Sequence, residues 1–591
     1  MSSVPAARSL LVLLASLAAG AGASPPPARS AAPDSTLIVR EFGVRATMRD
    51  GTTLIADVYR PASPARVAAI LERTPYNRTG NNYAELGQRW ASLGYAYVIQ
   101  DVRGRGDSEG RFDPLAQEIL DGYDTQSWVA QQSWSNGRVG TVGGSYGGWT
   151  QVLPAPLNNP ALRAMIPMVT PSDPGGFWPQ RRGGLSFGML EWAMVVDGRT
   201  TRRLPYEVFD LVTAYRTRPI RDADRAIGGP SPIWREYLEH LEDAEYWKAR
   251  SYQHRLTESK VPMLHVTGWY DGTLGGSLEN FAAMRAGGSA RAREHQYLLV
   301  GPWRHWIGLD SRGTRLGEVE FGDGSKVDVA ALSARWFEHY LARERAEPID
   351  WPKVRVFLMG ENRWIAGDDW PMAGTRMTSY YLDRRGGAGA LRAERPGSDA
   401  TAMDRYDYDP ADPTPFLWAI NVDSGGPDDY SAIEARPDVL SYDLPSPSET
   451  TYVCGPIRAT LFAASSARDT DWVARLSLVR ADGYSQRLTE GWVRARERKG
   501  NFRNDPLTPG QMERYDLDLW GTCVAVRPGE RLRLAVTSAA FPLLVPNFNT
   551  GGSLGLETEP VVAHQTIGRG GEWASFVTLP VLERPRYVPK P

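Results

Sequence analysis

The run Gly143-Gly144-Ser145-Tyr146-Gly147 fits G-x-S-x-G. In that pattern a serine sits on a sharp strand-to-helix turn with its hydroxyl lifted clear, so neighbours without side chains are needed. It directly follows the apolar run Val139-Gly140-Thr141-Val142 and opens a helical pattern at Gly148-Trp149-Thr150-Gln151. A glycine-rich turn with an idle serine explains the glycines but not this placement, so Ser145 reads as a nucleophile. A serine hydroxyl is weakly nucleophilic at neutral pH and needs a general base, which an acid must orient, in the chain order Ser, acid, His for such an elbow. Asp271, in Thr267-Gly268-Trp269-Tyr270-Asp271-Gly272, lies just past a strand end, where open parallel sheets present functional groups. Of the seven histidines, His295, His305, His339 and His564 lie beyond it. Only His305 falls in a loop soon after a strong strand end, Leu298-Leu299-Val300-Gly301-Pro302-Trp303. His295 reads as a solvated residue before a strand, His265 as a core-facing strand residue, His339 as helical and His564 as part of a β region. The tetrahedral oxyanion of acyl transfer needs donors. The N–H of Tyr146, next after the nucleophile, supplies one, and the phenol of Tyr76, in the loop Arg73-Thr74-Pro75-Tyr76-Asn77-Arg78, is the candidate for the second.

The elements that must position these groups follow an alternating plan. Leu54–Arg60, Val67–Leu71, Ala96–Gln100, Val139–Val142 and Ala164–Val169 read as strands, with a helical pattern over Ile119–Gln132 between the third and fourth. This is the winding of a mainly parallel sheet covered on both faces, the α/β-hydrolase arrangement once the elbow is added. Between 172 and 256 the sheet signal lapses and Trp, Arg and Leu recur at helical spacing, as in Trp234–Glu239, so this segment reads as a helical lid insertion. Strands resume at Met263–Val266 and Gln296–Val300, and the helix Val327–Arg343 closes the domain, which comprises 36–171 and 257–349. From 350 to 591 short alternating runs separated by Gly, Pro and Asp predict an all-β jelly roll. A chain of 591 residues exceeds what one core supports, in keeping with several domains.

At the N-terminus Arg8, the apolar run Leu10–Ala19 and Ala21-Gly22-Ala23 form a signal-peptide pattern over 1–23, followed by a Pro/Ala/Ser-rich, disordered lead-in over 24–35. Export to the periplasm or medium is therefore expected, and no other stretch is long and apolar enough to span a bilayer. A formal net charge of -2 gives no electrostatic footprint for nucleic acid. No His/Cys/Asp/Glu spacing suggests a metal site, and Arg103–Arg111 lacks the G-K-[ST] ending of a phosphate loop, so no cofactor is expected. That run reads instead as a rim loop held by ion pairs. Two cysteines, Cys454 and Cys523, leave open one disulfide or two buried thiols. A homo-oligomer is compatible with this composition.

Met48–Gly51, Asp57–Pro61, Arg73–Arg78, Asp101–Gly110, Gly143–Gly147, Gly268–Gly272 and Gly301–His305, taken together and in order, resemble the cocaine esterase/NonD-like serine hydrolases. These are grouped with the Xaa-Pro dipeptidyl-peptidases and α-amino acid ester hydrolases. Gly455–Thr460 and Asp469–Leu476 resemble their C-terminal jelly roll. The resemblance implies Ser145, Asp271 and His305 as a triad and Tyr76 with Tyr146 as the oxyanion hole. It also implies a small-molecule ester or acyl-amide substrate. Two departures concern specificity. Asp271 is followed by Gly272, Thr273 and Leu274, without the carboxylates that greet a substrate ammonium in the amino-ester hydrolases. Thr273 also stands where cocaine esterase-type members carry an aromatic residue. Trp149, Asp173, Trp178, Phe187, Trp192 and Thr273 are the candidate substrate contacts. An ester or acyl-amide hydrolase is the first expectation, and a peptidase or amino-ester hydrolase reading a free α-amino group is the second. A catalytically silent binding protein would leave the ordered set of parts without purpose.

Overall fold

The computed structural model describes residues 37–591 apart from 81, 175–179, 203–210, 306–313, 343–346, 386, 399–401 and 419–424. The expected signal peptide and lead-in, and Trp178, lie outside the described residues. Ten strands form one sheet: β1 (Ile38–Thr47), β2 (Thr53–Pro61), β3 (Val67–Thr74), β4 (Ala96–Asp101), β5 (Ser135–Gly144), β6 (Leu162–Met168), β7 (Met263–Gly268), β8 (Gln296–Gly301), β9 (Val354–Leu358) and β10 (Arg363–Gly367). Their order is β1-β2-β4-β3-β5-β6-β7-β8-β9-β10. From β4 to β9 all neighbours are parallel, while β1, β2 and β10 pair antiparallel at the two edges. Alternate residues of β4 enter different cores. Tyr97 and Ile99 join Trp90, Trp336 and Phe337, whereas Ala96 and Val98 join Val129 and Val139. Burial on both faces is why these strands read in the sequence as unbroken apolar runs. Their common direction places the loops after β3, β5, β7 and β8 at one end of the sheet, where crossover loops of such sheets gather function.

The 172–256 insertion carries the helices Gly188–Val196, Leu211–Tyr215, Ala223–Ala226, Pro232–Glu239 and Ala244–Lys248. Its own core of Leu190, Met194, Tyr215, Trp234 and Trp247 continues into Phe541, Val545 and Phe548 of the C-terminal domain. The insertion is therefore packed between two bodies rather than suspended over one. The C-terminal domain is an eleven-stranded, mainly antiparallel sheet assembly. Its long strand Thr451–Ser465 pairs with Glu513–Val526, with Cys454 opposite Cys523. The two cysteines are joined as a disulfide, the first of the two states left open by the sequence.

Two expectations are corrected. The first sheet does not stop at 349, because β9 lies parallel to β8 and carries β10, so the catalytic sheet runs to Gly367. The run Val354–Leu358 is buried throughout, and a strand covered on both faces lacks the alternation that tells a sheet centre from a sandwich strand. Just beyond it, Met359 exchanges backbone hydrogen bonds with Cys523 and Ala525, which welds the two domains. His295 is not solvated. It is buried, hydrogen-bonded at 2.9 Å to the Tyr340 hydroxyl, and burial pushes its pKa down to about 4. The expected helix after Val327 spans Val329–Phe337 and continues as a wider turn through Ala342, and this folds Tyr340 onto His295.

Candidate active site

Strand β5 ends at Gly144 and the helix Tyr146–Val152 begins two residues later. Ser145 bridges them with φ 59° and ψ -121°, a conformation that costs an ordinary residue of order 1–3 kcal/mol and persists only where the surroundings impose it. Here they do. Ser145 N–H donates to Met168 O at 2.9 Å, and the Gly148 N–H donates to Ser145 O at 2.8 Å. The Gln151 amide donates to Gly143 O at 3.1 Å and Gly147 O at 2.9 Å. Gly143 (φ +148°) admits no side chain, since a Cβ would fall 2.9 Å from Gly147 O. The tightest approach lies outside the motif: a Cβ on Gly148 would fall 1.9 Å from Thr170 Oγ1.

Asp271 follows β7 and is buried, with its carboxylate surrounded by donors. Thr267 Oγ1 and Thr273 Oγ1 each donate to Oδ2 at 3.0 Å, and the Thr273 N–H donates to Oδ1 at 2.9 Å. His305, in the loop after β8, brings Nδ1 to 2.8 Å from Asp271 Oδ1. A carboxylate accepts, so Nδ1 carries a proton, which leaves Nε2 as the ring nitrogen that can act as the base.

Tyr76 lies in the loop after β3, where its N–H donates to Thr74 Oγ1 at 3.0 Å. Its hydroxyl oxygen accepts from Trp192 Nε1 at 3.0 Å, and the Ser145 side chain is among the neighbours that act on its ionisation. Burial raises its pKa, so the phenol stays a neutral donor. Tyr146, first residue of its helix, has an N–H without an intrahelical acceptor. Its side chain is anchored in the protein: the hydroxyl donates to Glu118 Oε1 at 3.0 Å and accepts from Leu115 N at 2.9 Å. Glu118 in turn accepts from Arg73 at 2.5 Å in a buried pair. Burial raises the Glu118 pKa while Arg73 opposes that rise.

The expected substrate contacts fare differently. Thr273 is engaged with Asp271. Phe187 is fully buried and stacks on Tyr215 at 4.4 Å within the core of the insertion. Trp149 is buried, with its indole donating to Ser172 O at 3.0 Å. In each case the side chain is used in packing or support, because an aromatic or hydroxyl residue near a functional loop carries no sign in sequence of which way it faces. Asp173 pairs with Ser251, and burial raises its pKa. Trp192 lies against Tyr76 and Tyr146. Sequence reasoning missed Thr267 and Arg105. The Asp271-Gly272-Thr273 turn, in which an Asp accepts from the N–H two residues on, was a signal that Thr273 serves its own carboxylate. Arg105 gave none, since three of its four acceptors are backbone carbonyls, Pro75 O at 2.7 Å, Val196 O at 2.6 Å and Gly198 O, and the fourth is the Thr201 hydroxyl at 3.4 Å. The rim loop is ion-paired as expected, with Arg103 held by Asp50 and Asp121 and Arg78 by Asp57, Asp101 and Asp107.

An α/β-hydrolase sheet with a serine elbow, an Asp–His pair and a β domain welded to its edge is the architecture of a serine hydrolase, and known proteins share the fold. Residues 50–306 match the family profile of the X-Pro dipeptidyl-peptidases (S15 family), and residues 349–578 match the X-Pro dipeptidyl-peptidase C-terminal non-catalytic domain. The chain is 33% identical over 578 residues to cocaine esterase of Rhodococcus sp. (strain MB1 Bresler), covering 92% of this chain and 98% of that one. Among solved structures, an aminopeptidase from the marine sediment archaeon Thaumarchaeota archaeon superposes with TM-score 0.82 at 25% identity, over 95% of this chain and 99% of that one. An α-amino acid ester hydrolase superposes with TM-score 0.80 at 25% identity, over 93% and 98%. The chain belongs to the cocaine esterase/NonD family of serine hydrolases, which act on esters or peptides.

Proposed function

We propose that this protein is an exported hydrolase that cleaves carboxylic esters, or related acyl amides, through an acyl-enzyme on Ser145. Ser145 Oγ attacks the substrate carbonyl carbon while its proton passes to His305 Nε2. Asp271 holds the resulting imidazolium in place. The negative charge gathering on the carbonyl oxygen is met by the Tyr146 N–H and the Tyr76 hydroxyl, each such donor contributing about 3–4 kcal/mol to the transition state. His305 then protonates the leaving alcohol or amine. Water, deprotonated by the same imidazole, releases the acid and restores Ser145. The observation that carries this reading is the 2.8 Å contact from His305 to an Asp271 carboxylate already saturated by threonine donors, which fixes the imidazole tautomer that Ser145 needs.

Ester chemistry is favoured over recognition of a free α-amino group because the residues after Asp271 bring no carboxylate, and Thr273 is committed to Asp271. Export is supported by the signal pattern over 1–23 and by the Cys454–Cys523 disulfide, a bond of oxidising compartments. The test is a panel of p-nitrophenyl acyl esters, an amino-acid methyl ester and a Gly-Pro anilide, run with wild type and Ser145→Ala. Turnover of the acyl esters that disappears in Ser145→Ala is expected. Cleavage of the anilide alone would overturn the substrate class, and full turnover by Ser145→Ala would overturn the nucleophile.

A further inference from the structure

Trp192 belongs to the helix Gly188–Val196 of the insertion, remote in sequence from every part of the reaction. It nevertheless meets both proposed oxyanion donors. Its indole N–H donates to the Tyr76 oxygen at 3.0 Å, and its ring lies over the Tyr146 ring with centroids 5.8 Å apart and planes 16° from parallel. Phe112 closes the other side, tilted against Tyr146 at 5.9 Å and Trp192 at 6.4 Å. The backbone around these contacts is tied by one side chain: the buried Arg105 guanidinium donates to Pro75 O, beside Tyr76, and to Val196 O, at the end of the Trp192 helix.

An indole N–H can only donate, and a phenol has a single proton. With the Tyr76 oxygen accepting from Trp192, its own proton is directed away from the indole, toward Ser145 and the position where a substrate oxyanion forms. Without the indole, the hydroxyl could turn. Donation into the phenol oxygen also polarises its O–H and strengthens it as a donor.

We propose that Trp192 is a positioning residue for the reaction: it sets the direction of the Tyr76 hydroxyl proton and fixes the Tyr146 ring, so that the helical insertion completes the oxyanion hole instead of merely covering it. The inference rests on the Ser145 reading above, and it assigns Trp192 no contact with substrate.

Trp192→Phe removes the N–H and keeps an aromatic ring, and benzothienylalanine placed at 192 by nonsense suppression removes the N–H with the indole shape retained. On p-nitrophenyl acetate either replacement is expected to lower kcat about tenfold with KM changed less than about twofold, the size of one lost hydrogen bond acting in the transition state. In a Tyr76→Phe background the same replacement is expected to change kcat by less than about twofold, because the acceptor is already gone. An unchanged kcat, a loss confined to KM, or an equal loss in both backgrounds would overturn the proposal. Ser145→Ala, run alongside, separates the two levels. If it kept turnover, the nucleophile reading would fall, whereas an inactive Ser145→Ala with equal losses in the two Tyr76 backgrounds would remove only the role of Trp192.

Discussion

Alanine at Gly147, inside the G-x-S-x-G run, and alanine at Gly148, just outside it, should behave oppositely. Both sit in the helix Tyr146–Val152, where Ala in place of Gly gains about 1 kcal/mol of helix propensity. A Cβ on Gly147 would meet only Arg73 O at 3.6 Å, an ordinary contact, so most of that gain survives. A Cβ on Gly148 would stand 1.9 Å from Thr170 Oγ1 and 2.9 Å from its Cβ. Thr170 cannot yield easily, since Oγ1 donates to Met168 O at 3.1 Å and its N–H donates to Ser277 Oγ at 3.2 Å. The helix must therefore move, at an overpacking cost of about 3 kcal/mol or more, which leaves a net loss of about 2 kcal/mol. A shift of about 1 Å at the elbow also displaces Ser145 and the Tyr146 N–H, enough to lower kcat about a hundredfold. Urea denaturation and ester turnover, measured on Gly147→Ala, Gly148→Ala and Gly148→Ala/Thr170→Ala, give the comparison. The first should match or exceed wild-type stability, the second should lose both stability and activity, and the third should recover part of each by removing Oγ1. A Gly147→Ala variant less stable than Gly148→Ala would refute the steric reasoning.

Thr273→Val removes one hydroxyl donor from the Asp271 carboxylate and leaves the rest of the pocket in shape. The carboxylate then loses one of the contacts that hold it against His305, so kcat should fall about tenfold with KM little changed. An unchanged kcat would show that the hydroxyl does not hold Asp271 in place. Glu72 is lifted by burial from 4.5 to about 7, while the Tyr97 hydroxyl donates to it at 2.7 Å. The folded protein thus keeps a proton that the unfolded chain releases. The associated stability is present in full below about pH 4.5 and is lost as pH rises through 7. Melting temperatures taken between pH 5 and 8 should decline more steeply for wild type than for Glu72→Gln, and parallel curves would contradict the assignment.

What could be read in advance follows the range of the interactions. The elbow around Ser145 is a short-range device, made by glycines next to the serine and by the strand and helix on either side, and it is written contiguously in the sequence. That Asp271 and His305 meet was legible because strand ends announce themselves and the chain order proposed for the three groups is constrained. The fate of Val354–Leu358 was not legible, because a strand buried on both faces looks alike in a sheet centre and in a sandwich. His295 looked solvated because the Tyr340 that caps it arrives 45 residues later. Phe187 and Trp149 were read as candidate substrate contacts, but only the assembled cores decide whether a ring faces a cavity or its neighbours. The hydrogen bond from Trp192 to Tyr76 spans 116 residues and depends on how the insertion seats, which no local pattern encodes.

Covalent trapping tests the central role of Ser145 most directly. After reaction with a fluorophosphonate, the intact wild-type chain should gain the mass of one adduct, digestion should place it on the peptide containing Ser145, and Ser145→Ala should gain none. An adduct on another residue of an inactivated enzyme, or stoichiometric labelling of Ser145→Ala, would contradict Ser145 as the nucleophile.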